Sequence, residues 1–132
     1  MKRIVFCFDG TWNRLSADTP TNVVLLAASI LRETKGGTTQ IMHYDEGVAT
    51  TSHRLTGGLF GVGLVANIRE AYRFLIFNYD PGDELYVFGF SRGAFSAGSF
   101  VGFVRHAGVL GRKHVARIDE ALRLYKHRTP GS

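Results

Sequence analysis

Two rhythms of apolar and polar positions alternate along this chain. Short apolar runs rich in β-branched and aromatic residues, Arg3 to Phe8, Gln40 to Tyr44 and Glu84 to Phe88, read as strands bounded by turn residues such as Asp9-Gly10. Longer stretches between them carry a helical period. Val23 to Glu33 follows Pro20 and the candidate cap Asn22, is rich in leucine and alanine, and is stopped by Gly36-Gly37. Leu64 to Phe77 sets Ile68, Tyr72, Leu75 and Ile76 along one side, and Asn78 with Pro81-Gly82 ends it. Small residues from Ala94 open a third helix reaching Val104, and Gly108 and Gly111 interrupt it. A last helix is expected over Lys113 to His127, with Val115, Ile118, Leu122 and Tyr125 as its apolar stripe. The polar stretch holding Asp45, Glu46, His53 and Arg54 reads as a loop.

The order β-α-β-α-β-α-α predicts an α/β fold: a three-layer arrangement in which a parallel sheet has helices on both faces, with right-handed crossovers and the third strand as a central member. The 132 residues fit one domain whose core is small for an enzyme. No window approaches the ~20 apolar residues of a membrane span. The basic start reaches Asp9 too soon for a signal-peptide apolar region, so a cytoplasmic protein without a standard export signal is expected. Cys7, the single cysteine, sits in an apolar run and reads as core filling. The net charge of +5 gathers at Arg105, Arg112, Lys113, Arg117, Arg123, Lys126 and Arg128, which could meet lipid head groups or nucleic-acid phosphates. No nucleic-acid-binding motif accompanies them, so a nucleic-acid partner is not expected, whereas contact with a membrane surface stays open beside a plain solvated face.

Candidate chemistry centres on Gly89-Phe90-Ser91-Arg92-Gly93. A Gly-x-Ser-x-Gly between a strand and a helix is what a nucleophile elbow needs, because the tight turn pushes the serine Oγ outward and glycines without Cβ let the strand and helix close on each other. Gly89 and Gly93 are the elbow glycines and Ser91 the candidate nucleophile. The competing reading is a serine that caps the following helix.

At the end of the first strand stands Phe8-Asp9-Gly10-Thr11-Trp12-Asn13. Ligands of parallel α/β sheets bind at the carboxyl ends of strands, so this loop and Ser91 can open onto one crevice. Acyl transfer needs two donors for the oxyanion: the amide of Arg92, after the nucleophile, and one from a neighbouring strand-end loop, for which Gly10 or Thr11 is the source. A turn in which Asp9 bonds its own backbone fits the local sequence equally well. Asp-Gly-Thr after a strand also resembles the haloacid-dehalogenase-like phosphatases, but Cys7 occupies the position of their nucleophilic aspartate, leaving a magnesium site without its first ligand.

No cofactor or metal site is expected. Gly61-Val62-Gly63-Leu64-Val65-Ala66 matches a loose dinucleotide pattern but lacks the preceding strand. The histidines are His43, His53, His106, His114 and His127. A triad in the order serine, acid, histidine would have to use Asp119 or Glu120 with His127, and these fall on one surface-helix pattern, whereas triad members lie on loops after later strands.

The Asp-Gly-Thr loop, Tyr44 to Gly47, Gly57 to Tyr72, and Tyr86 to Ala94 with its Gly-Phe-Ser-Arg-Gly-Ala together resemble the α/β-hydrolase domain family that includes the type VI secretion phospholipase effectors. The resemblance implies an esterase or phospholipase acting on lipid acyl esters through Ser91, of bacterial effector type and exported by type VI secretion. It further implies later strands carrying the acid and base, so the chain corresponds to the N-terminal half of an α/β hydrolase fold. The expectation is a serine hydrolase incomplete in this chain, or a non-catalytic piece that pairs with a missing C-terminal half or a protein partner.

Overall fold

The computed structural model describes residues 1–10, 22–47 and 62–127. Strand β1 (Arg3–Asp9) is followed by helix α1 (Asn22–Ser29), β2 (Gln40–Asp45), α2 (Val62–Asn78), β3 (Glu84–Phe90) and α3 (Arg92–Ala107). A 3-10 segment, Arg112–Arg117, leads into α4 (Ile118–Lys126). All three strands are parallel, in the order β2-β1-β3.

Strand β1 is buried on both faces, as its unbroken apolar run requires of a central parallel strand. Ile4, Phe6 and Phe8 pack with Ile68, Tyr72 and Leu75 of α2, Phe100 and Phe103 of α3, and Ile118 of α4. Val5 and Cys7 point the other way, onto Val23 and Ala27 of α1. Helices therefore cover both faces of β1, as the three-layer expectation holds. Cys7 is fully buried, and burial pushes its thiol up to about 11, in keeping with core filling.

Three expectations are corrected. The elbow-bearing β3 is not central among the described strands: β1 pairs on both sides, while β3 pairs only with β1. On the α1 side of β3, Tyr86, Phe88 and Phe90 stay 39%, 38% and 39% exposed, since α1 seats over β1. Helix α1 stops at Ser29 rather than Glu33, because the residues that follow are drawn into the lead-in to β2. Gln40 donates its amide to the Arg32 carbonyl and its side-chain nitrogen to the Leu31 carbonyl, and Glu33 bridges Thr39. The last helix is also broken. His114 has φ −107 and ψ 16, so the α-helix proper starts at Ile118, which is buried. The apolar stripe itself stands as expected, with Val115, Ile118, Leu122 and Tyr125 all packed on the larger core.

Candidate functional site

Register brings the ends of the strands to one edge. Phe8 pairs with both Asp45 and Gly89, and Asp9 pairs with Phe90, the residue before Ser91. Ser91 then turns the chain directly into α3, in the backbone conformation φ 58, ψ −125. No other non-glycine residue among those described has positive φ. A residue with a Cβ pays about 1–3 kcal/mol to stand in such a region, and persists there only where its surroundings dictate it. Ser91 is exposed, and its hydroxyl makes no capping bond to α3. The cap reading therefore lacks the hydrogen bond that defines it.

Close backbone approach explains the glycines. A Cβ on Gly89 would meet the Gly93 carbonyl oxygen at 2.5 Å and Ala94 Cα at 2.7 Å, so the first turn of α3 lies directly on the end of β3. A Cβ on Gly93 would collide with the Phe8 carbonyl, and one on Gly10 with the Gly93 nitrogen and Arg92 Cβ. Gly10 is thus pressed against the start of α3, which joins the two loops singled out from the sequence. The Gly10 amide, however, donates to the Phe90 carbonyl at 3.2 Å, so it continues the sheet rather than facing the crevice. Of the two candidates for a second oxyanion donor this leaves Thr11, which lies outside the described residues. Arg92 opens α3, the end of a helix at which amides point outward.

Two residues not paired with each other from the sequence complete this end of the sheet. Asp9 is fully buried, and its Oδ2 accepts a hydrogen bond from the Tyr44 hydroxyl at 2.8 Å. Burial first, then the Asp9 hydrogen bond and charge, pushes the Tyr44 phenol far above its usual range, so it remains a donor. The available signal was an acid and a tyrosine at the ends of neighbouring strands. Asp45, on the opposite face, accepts from the Gly47 amide at 2.8 Å, and burial raises its carboxyl despite that bond.

No described strand sets a histidine at the level of Ser91. His43 pairs with Phe6 in mid-strand, its ring against Phe6 and Phe74, and burial lowers its pKa. Phe6 is also level with Val87, and Ser91 lies four residues beyond that. Two strand spacings across and four residues along put His43 about 16 Å away. His106 is exposed near the far end of α3, and His114 is exposed within the 3-10 segment. His127 is exposed after α4, while Asp119 is held by Arg69 at 2.8 Å and Glu120 by Arg117 at 3.2 Å. His53 and Gly61 fall outside the described residues, and Gly63 lies within α2. No helix among the described residues is long and apolar enough to cross a membrane.

The family described as T6SS phospholipase effector Tle1-like, catalytic domain, matches residues 2–132. The uncharacterized protein YEL023C of Saccharomyces cerevisiae is 32% identical over 141 residues, covering 95% of this chain and 20% of that protein. The chain thus spans about a fifth of the length of this relative. No solved structure matches it.

Proposed function

The chain belongs to the family of T6SS phospholipase effector Tle1-like catalytic domains, and from that premise we propose that it is the N-terminal part of an α/β hydrolase domain in which Ser91 is the nucleophile toward lipid acyl esters. The observation that carries this reading is the Ser91 backbone, φ 58 and ψ −125, held between glycines that the packing of α3 on β3 and β1 demands. In the proposed reaction Oγ bonds to the ester carbonyl carbon, the tetrahedral oxyanion is met by the Arg92 amide and the backbone at Thr11, and the alcohol departs with the Oγ proton. Water then cleaves the acyl-serine to a carboxylic acid. Acid and base are proposed to come from outside these residues, which leaves acylation slow and deacylation slower still.

Labelling with a fluorophosphonate, read by intact mass, together with p-nitrophenyl ester hydrolysis, tests the reading. Labelling of the wild type but not of Ser91→Ala, with little turnover, is the expected result; equal labelling of both overturns it. A second reading, in which the chain works by binding, is favoured by one observation. Strand β3 has an open side among the described residues and presents Tyr86, Phe88 and Phe90. An open apolar edge invites pairing, and a wild type that neither labels nor turns over would support that role instead.

A further inference from the structure

A carboxylate with no exposed surface, placed beside the proposed nucleophile yet unused by the proposed chemistry, calls for an account. Burying a carboxylate costs several kcal/mol unless hydrogen bonds compensate it, and an apolar residue would fill the end of β1 at lower cost. Asp9 stands one step along the sheet from the Ser91 turn, since it pairs with Phe90. The next residue, Gly10, bears directly on Arg92 and Gly93. From the other side, β2 grips the same spot. Tyr44 donates to Asp9 Oδ2 at 2.8 Å, and Gly47, at φ 101, lies so close that a Cβ there would strike the Asp9 carbonyl and reach Gly10 Cα at 3.1 Å.

The end of β1 is therefore a wedge between β2 and the first turn of α3, and the Asp9–Tyr44 hydrogen bond locks its β2 side. We propose that Asp9 and Tyr44 are a positioning pair: by fixing Gly10 against Arg92 and Gly93, they set where the Arg92 amide stands relative to Ser91 Oγ. Neither touches substrate. This proposal rests on the reading of Ser91 as nucleophile. A donor aimed at an oxyanion is useful only within a few tenths of an ångström of its place, and a displacement of about 1 Å can cost 10²-fold in rate.

The test compares the limiting rate and half-saturation concentration of fluorophosphonate labelling in wild type, Tyr44→Phe, Asp9→Asn and the double variant. Tyr44→Phe keeps the ring and removes only the bond. It is expected to slow the limiting rate roughly ten- to hundredfold with half-saturation unchanged, and the double variant is expected to be no slower than the worse single one. Tyr72→Phe is the control for a merely structural loss. Tyr72 also bonds through a buried hydroxyl, to the Gly108 carbonyl and the Leu110 amide, but at the far end of α3, so it should lower the melting temperature and leave the labelling rate alone. Tyr44→Phe labelling at the wild-type rate, or slowing only as Tyr72→Phe does, overturns the positioning role. A wild type that labels no faster than Ser91→Ala removes the Ser91 reading itself, and this proposal with it.

Discussion

Replacing Ser91 with glycine should destroy the proposed activity and stabilise the protein at the same time. At φ 58 and ψ −125 the serine Cβ is forced against its own backbone, a strain of about 1–3 kcal/mol that glycine does not carry. Nothing is lost with the hydroxyl, which has no hydrogen bond to the described residues. Against this gain stands the extra freedom of glycine in the unfolded chain, about 0.5–1 kcal/mol. The balance favours Ser91→Gly by up to about 2.5 kcal/mol, which for a domain of this size raises the melting temperature by up to about 10 °C. Alanine is the control, because it removes the hydroxyl and keeps the Cβ, so Ser91→Ala should melt within about 2 °C of wild type. Thermal unfolding followed by circular dichroism, with labelling of each variant, separates the terms. A Ser91→Gly protein that melts at or below Ser91→Ala would refute the claim that the turn stores strain.

Other positions test the surrounding packing. Gly93→Ala drives a Cβ into the Phe8 carbonyl of the buried central strand and should cost about 3 kcal/mol or more or prevent folding, whereas Gly98→Ala, on the same helix with nothing within 4 Å, should stabilise by about 1 kcal/mol; parallel urea titrations check both. Tyr72→Phe leaves the Gly108 carbonyl and Leu110 amide without the hydroxyl that now bonds both, at 2.6 Å and 3.1 Å, and should lose about 1–3 kcal/mol in the same titration. Burial pushes the Asp83 carboxyl up, but the bonds from Lys2 and from the Asp80 amide outweigh it and hold it at about 2, below the ordinary 3.8. The folded form thus holds its proton less tightly than the unfolded one, so Asp83 contributes stability above about pH 4 that disappears between about pH 4 and pH 2. Acid titration of Asp83→Asn should show a shallower decline across that window, and curves that superimpose would contradict it.

The chain wrote its elements plainly and their arrangement only in part. Strand and helix positions followed from period and from turn residues, since Arg3 to Phe8 has no other stable use than a strand buried on two faces. The order of strands left no such mark: Glu84 to Phe90 reads the same in the centre of a sheet as beside one neighbour, and only the pairing put β1 between the others. The breaks at Ser29 and His114 were hidden for a different reason. Helical propensity favoured continuing, and long-range bonds to Gln40 and the burial of Ile118 overrode it. At the candidate site, the pattern of Gly89, Ser91 and Gly93 was visible because close approach demands glycine, whereas Asp9 and Tyr44 meet only across the sheet and so have no local signature.

Strain at Ser91 has a geometric root. A strained turn persists where neighbouring backbone dictates it, and here β1, β3 and the first turn of α3 supply that backbone, through contacts at Gly10, Gly89 and Gly93. The oxyanion side of the proposed site is therefore local to these strands. The described strands supply no base there, since His43, the one histidine on them, lies on β2 four residues short of the level of Ser91. Beyond β3 the described residues place no strand. A strand paired there would run about 4.8 Å from β3 and finish beside Ser91, so that the loop after it could set an imidazole on Oγ. The same strand, with its covering helix, would bury Tyr86, Phe88 and Phe90. Under the proposed function, a base for Ser91 and a cover for Tyr86, Phe88 and Phe90 would therefore share one side of β3.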